Sequence, residues 1–190
     1  MMTRRQTLAI GLGTAMGLLD KRADAQHVSG GGRTLVAYFT RSGNTKLIAG
    51  TVQRTLGADL FEIQPAKPYP EDYEATVAQA ERERQAGIEP PLKERVAELG
   101  GYSTVYLGFP IWGTTAPTII KSFLSKHDLS GKDLVPLITH GGYGAGDSLT
   151  VIRRMAAQAR VRKEFVIRMD QERAILRDVT RWLQSSGARK

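Results

Sequence analysis

From Thr34 onward the chain alternates five short runs dense in apolar and β-branched residues with segments whose apolar residues recur at helical spacing. Few folds accommodate that order. A strand covered on both faces reads as a continuous apolar run, and parallel strands need crossovers long enough to hold a helix. Thr34–Phe39 (TLVAYF) is such a doubly covered run and predicts a central first strand. Ile48, Val52 and Leu56 recur with helical period over Thr45–Leu56, and the next β-like run is Asp59–Gln64 (DLFEIQ). These pieces make one β-α-β unit.

The stretch Pro65–Pro91 is polar, with proline at both ends and the charged run EDYEATVAQAERERQAG between, which predicts an exposed helix on a long connection. A short helix over Leu92–Leu99 is expected next. It is followed by the strand Ser103–Phe109, a helix near Pro117–Lys126, and the strand Lys132–His140. A helix Asp147–Ala159 with Asp147 as its cap, a fifth strand Glu164–Met169 and a helix Glu172–Ser185 complete the series. The last helix sets Ile175, Val179, Trp182 and Leu183 on one face. Right-handed crossovers place helices on both sides of such a sheet. The expected fold is therefore α/β, a doubly wound three-layer sandwich around a five-stranded parallel sheet. Ligands of these sheets sit beyond the carboxyl ends of the strands. The loops after the first, third and fourth strands are thus the places for chemistry.

What precedes this domain reads as an address. Residues 3–8 are TRRQTL, an apolar run extends from Leu8 to Leu19, and Ala23-Asp24-Ala25 supplies small residues for cleavage. This predicts a signal peptide over 1–25, a flexible segment over 26–33 and the folded domain over 34–190. The apolar run is too short to span a bilayer, so no stable membrane anchor is expected after cleavage. Arg4 and Arg5 with Leu8 beyond them resemble the twin-arginine signal, which implies export of an already folded protein, here to the periplasm. A general secretory signal is the alternative.

Composition narrows the chemistry. The chain has no cysteine, which excludes thiolate nucleophiles, disulfide exchange, iron–sulfur clusters and Cys-type zinc sites. His27, His127 and His140 show no metal-ligand spacing. The net charge of +8 is unevenly spread: residues 1–25 carry +2, residues 26–150 carry −1 and residues 151–190 carry +7. No aromatic residues alternate with the C-terminal arginines as a strand-stacking platform requires. The basic end is read as a solvated, partner-steering face, not as a nucleic-acid site.

The loop after the first strand, Thr40-Arg41-Ser42-Gly43-Asn44-Thr45, opens a helix. Hydroxyls, a glycine and the free N–H groups of a helix N-terminus together make a nest for a phosphate dianion. Neither GxxxxGK[ST] nor GxGxxG is present, so a monophosphate fits better than a nucleoside triphosphate or a dinucleotide. An ordinary Ser/Asn helix cap is the plainer alternative.

Three segments taken in order, YFTRSGNTK, LGFPIWGTTAPTIIKSFL and LVPLITHGGYGAGDSL, resemble the short branch of the flavodoxin-like family from Thr34 to the C-terminus. The resemblance implies strand order 2-1-3-4-5 and noncovalent FMN at the C-terminal edge of the sheet. It implies a phosphate held by Thr40, Arg41, Ser42, Gly43, Asn44 and Thr45. The ring would lie between Pro110-Ile111-Trp112-Gly113-Thr114 and His140-Gly141-Gly142-Tyr143 with Gly146. Relatives often carry two adjacent tryptophans followed by Gly-Thr, whereas Gly113 and Thr114 stand at the second Trp and the Gly here. Trp112 is then either a stacking partner or a buried loop anchor. Arg41 either faces solvent or offsets the phosphate charge, and His140 either supports the flavin edge or is structural. Trp182 reads as core.

The functional expectation is an exported FMN flavoprotein that transfers electrons, either to a redox partner protein or to a small quinone-like acceptor. Flavin chemistry belongs to the cofactor, so no catalytic acid–base dyad is expected. A flavin-free module that holds another phosphate ligand or a protein partner in the same loop is the alternative.

Overall fold

The computed structural model describes residues 32–169 and 172–186. The signal peptide over 1–25, most of the flexible segment and the core role of Ile175 lie outside the described residues. The strands β1 (Arg33–Tyr38), β2 (Asp59–Glu62), β3 (Tyr102–Pro110), β4 (Asp133–His140), β5 (Arg160–Val161) and β6 (Phe165–Arg168) form one parallel sheet. Its order is β2-β1-β3-β4, with β5 and β6 sharing the outer edge of β4. This is the 2-1-3-4-5 arrangement, with the fifth place divided. Helices α1 (Asn44–Leu56) and α5 (Glu172–Ser185) cover one face, and α3 (Thr118–Lys126) and α4 (Ser148–Met155) the other. The remaining helix, α2 (Tyr73–Ala86), packs beside α3.

Alternation along β1 and into Phe39, the residue after it, shows why both faces need cover. Leu35, Ala37 and Phe39 enter one apolar core with Val105, Leu107, Phe109, Ile119 and Phe123, while Val36 and Tyr38 enter the other with Ile48, Val52, Leu137 and Val179. Burying a large apolar side chain contributes about 1.5–3 kcal/mol, and these two layers supply most of the driving force. Trp182 lies in the second layer, with its ring 5.0 Å from Phe165 and edge-on to Tyr106 at 6.2 Å, so it is a packing residue.

Three local expectations are corrected. No helix forms over Leu92–Leu99. The prolines Pro90 and Pro91 hold the chain extended, Leu92 bridges Pro65 antiparallel, and Lys93 N–H donates to the Gln64 carbonyl at 2.8 Å. Only a 3-10 turn, Leu99–Gly101, remains of it. The helix expected to reach Ala159 stops at Met155, and Arg160–Val161 joins the sheet because both Arg160 and Arg162 pair with Asp133, at 2.7 and 2.8 Å. Asp147 makes no side-chain cap. Its backbone N–H instead donates to the Thr114 carbonyl at 3.0 Å, tying the loop before α4 to the loop after β3. No helix among the described residues is long and apolar enough to cross a membrane.

Candidate functional site

The order β2-β1-β3-β4 brings the carboxyl ends of β1, β3 and β4 side by side, so the loops that follow them share one edge. After β1, Thr40 Oγ1 accepts a hydrogen bond from Gly43 N–H at 3.1 Å, and Gly43 adopts φ +88°, a conformation costly for any side chain. Gly43 is the N-cap of α1 and offers no side chain. No acidic residue occupies the first turn, so the helix begins with free N–H groups beside the exposed Ser42 and Asn44. The ordinary Ser/Asn cap is not what forms. Thr45 turns inward: its hydroxyl, 1% exposed, shares a 3.0 Å hydrogen bond with Thr139 on β4 and locks the loop to the sheet. Arg41 reaches sideways, donating to the Glu71 carbonyl at 3.0 Å and lying 5.3 Å above the ring of Tyr73.

After β3, Ile111 N–H donates to the Thr139 carbonyl at 2.8 Å, and Trp112 pairs with Thr115 across a two-residue turn. The central residues have φ +55° (Gly113) and +65° (Thr114), the signature of a primed hairpin turn; Thr114 holds it at a steric cost. Trp112 is gripped edge-on by Phe39 at 5.1 Å and Tyr69 at 4.9 Å. It is a half-buried loop anchor that still reaches the cavity described next. Tyr69 is in turn oriented by the buried Glu83, whose carboxylate accepts from Tyr69 Oη at 2.9 Å, Thr118 Oγ1 at 2.5 Å and Gln79 Nε2 at 2.8 Å. Burial, with the Glu83 hydrogen bond, pushes the Tyr69 phenol far above its ordinary range, so it stays a donor.

After β4, His140 Nδ1 accepts from Gly142 N–H at 3.1 Å and Gly144 N–H at 3.2 Å, so in this arrangement the ring proton sits on Nε2. These contacts spend two loop amides on the histidine. Gly141 and Gly142 are exposed, and Tyr143 is 84% exposed at the loop tip. Gly146, at φ +54°, lets the loop touch its neighbour: a Cβ there would lie 1.8 Å from the Thr114 carbonyl oxygen.

A cavity of about 290 Å³ lies where the three loops meet. Thr40, Arg41, Ser42, Asn44, Thr45, Pro110, Ile111, Trp112, His140 and Gly141 line it. Gly43, Gly113, Thr114, Gly142, Tyr143 and Gly146 shape the surrounding loops without lining it. Sequence reasoning missed three lining residues, Tyr73, Thr139 and Met169. A hydroxyl near the end of an apolar strand and an aromatic opening a polar helix were the available signals for the first two. A second cavity of about 690 Å³ on the β2 side shares Thr40, Arg41 and Trp112.

A doubly wound parallel sheet with three loops converging at its carboxyl edge defines a flavodoxin-like α/β protein. The flavodoxin family model matches residues 33–185, and the chain belongs to that family. Among solved structures, a candidate flavoprotein from Bacteroides eggerthii is 32% identical over 80% of this chain and 96% of its own, with a TM-score of 0.69. One from Bacteroides uniformis is 28% identical over 79% and 99%, with a TM-score of 0.70. A Lactobacillus acidophilus flavoprotein in complex with FMN shares the fold at 20% identity over 70% and 92%, with a TM-score of 0.64. No curated protein matches the chain.

Proposed function

We propose that this chain is an exported flavoprotein that holds FMN noncovalently and transfers electrons through it, as a quinone-type reductase or as a carrier serving a redox partner protein. The observation that carries this reading is the cavity in which the loops after β1, β3 and β4 meet. Family membership and the FMN complex of the Lactobacillus flavoprotein support it.

The donor set suits a phosphate dianion. The first turn of α1 has no side-chain cap and no acidic residue of its own, so Thr40–Asn44 would hold the phosphate against the positive end of the helix dipole. Thr45 contributes by fixing the loop to Thr139, not by offering its own hydroxyl. The loops Pro110–Thr114 and His140–Gly146 would flank the ring. Bound FMN supplies reversible uptake of electrons, singly or in pairs. The chain supplies rigidity: Phe39 and Tyr69 immobilise Trp112, and His140 organises the glycine loop through its Nδ1. Tyr143, free at the tip, is an aromatic surface available to cover a ring or meet a partner. Incubation with FMN followed by removal of free ligand tests the reading. A retained, perturbed flavin absorption spectrum is expected, and a colourless protein overturns it. Steady-state NAD(P)H oxidation with a quinone then separates reductase from carrier.

One observation favours a second reading, the flavin-free module: Gly113 puts no ring where relatives often carry a second tryptophan. The same spectrum decides between the two. Export through the twin-arginine route is tested by Arg4→Lys with Arg5→Lys, which should leave the precursor in the cytoplasm; normal export of that variant overturns it.

A further inference from the structure

The polar helix α2 does not commit all its sides to solvent or core. Tyr73, Val77, Ala80 and Arg84 follow one another at helical spacing and, with Glu81 of the same helix, Arg41 and the Trp112–Gly113 turn, enclose a cavity of about 210 Å³, so two guanidiniums and one carboxylate line it. Arg41, Tyr73 and Trp112 also line the cavity where the three loops meet, so the two spaces adjoin.

Its charge is the informative feature. A Cβ on Gly113 would lie 2.0 Å from Arg84 Nη1 and 2.9 Å from its Cζ, so the guanidinium occupies the room a larger residue would need there. A cation therefore stands against the Trp112–Gly113 turn. It is weakly neutralised: its ion pair is with Glu81 at 3.9 Å, the limit of such contacts, and Glu81 also accepts from Gln85 Nε2 at 3.1 Å. Arg41, on the opposite wall, bonds a backbone carbonyl and has no carboxylate in ion-pair reach among the described residues. Tyr73, under Arg41, is 62% exposed, and Val77, one turn further towards Arg84, is 41% exposed. Two guanidiniums outnumber the single Glu81 carboxylate around this cavity, and they form a recognition set for a flat anion, since each can fork onto an oxyanion and the side of the Tyr73 ring not covered by Arg41 offers an aromatic surface. The volume lies below the roughly 300–1,000 Å³ of drug-sized sites, which limits the occupant to one or two rings.

We propose that this cavity is a substrate site that takes a small ring-bearing electron acceptor carrying a carboxylate, sulfonate or phosphate, with Arg84 as the specificity-determining residue and Arg41 as the second anchor. The acceptor role rests on the flavin reading; the anion selectivity does not. Calorimetric titration of the FMN-incubated full chain with naphthalene-2-sulfonate and with neutral 2-naphthol tests it without turnover. The sulfonate is expected to bind about tenfold tighter than the neutral ring, and Arg84→Gln to remove that preference while leaving 2-naphthol unchanged. Arg84→Lys should restore part of it, and Lys163→Gln, at the far end of the sheet, none of the loss. Equal affinity for both probes, or a preference that survives Arg84→Gln, overturns the proposal. The absorption spectrum of the same sample reports flavin retention separately. A colourless protein that still selects the sulfonate through Arg84 overturns the acceptor role and leaves an anion site.

Discussion

At the amino ends of the strands, Arg33 holds Asp59 at 2.6 Å while Tyr102 donates to the same carboxylate at 2.9 Å, and Asp133 takes both Arg160 and Arg162. At the carboxyl ends, Arg41 bonds a backbone carbonyl, Arg84 has only a 3.9 Å ion pair with Glu81, and the α1 amides have no capping side chain. Backbone follows the same division. The loops of the carboxyl edge hold Gly43, Gly113, Thr114, Gly142, Gly144 and Gly146 at positive φ, bringing main-chain amides close to the cavity. Polar groups already matched within the chain fasten the sheet. Those left facing a cavity are available to a ligand. The same sheet thus has a structural end and a binding end, and its topology decides which is which.

The largest expected effect strikes the binding end through its backbone. Gly146→Val forces a side chain into the Thr114 carbonyl at a φ that only glycine tolerates well, and urea unfolding should show a loss of about 3 kcal/mol. Next, Ser42→Glu places a carboxylate beside the α1 amides. FMN affinity, read by flavin fluorescence, should fall about 100-fold, while thermal stability holds or rises because the charge complements the helix dipole. That opposition of signs separates a ligand site from a structural cap.

A milder change follows at His140→Ala, which frees the Gly142 and Gly144 amides from Nδ1. About tenfold weaker FMN binding is expected, with stability nearly unchanged, checked by the same fluorescence and unfolding measurements. The smallest effect belongs to the structural end. Arg33, with Tyr102, holds the Asp59 carboxyl below its ordinary value. A carboxyl depressed in the folded state stabilises above its unfolded pKa, near 4, and that contribution is lost as pH falls through the lower folded value. Asp59→Asn should flatten the acid limb of stability against pH while leaving FMN binding unchanged.

The layered fold was legible because buried parallel strands leave little choice of residue. Thr34–Phe39, Ser103–Phe109 and Lys132–His140 announce themselves, and their loops then converge by topology alone. The helix assigned to Leu92–Leu99 failed because its pairing with Pro65 is a long-range contact that local periodicity does not carry. The divided fifth strand depends on Asp133, distant in sequence from the arginines it gathers. Within the site, the residue types of the β1 loop pointed correctly to an anion nest, but hydroxyl direction was hidden. Thr45 faces inward to Thr139, and only the sheet register reveals that. Tyr73 and Arg84 escaped notice because the helix bearing them has polar composition, and its use depends on what lies opposite.

The most direct test of the division between the two ends is to map FMN-induced amide shifts across the ¹⁵N-labelled chain by nuclear magnetic resonance. The account requires the largest shifts at Arg41–Thr45, Ile111–Thr115 and Gly141–Gly146, with Arg33, Asp59, Asp133 and Arg160 unmoved. Shifts concentrated at those last four residues, or none under saturating FMN, would contradict it.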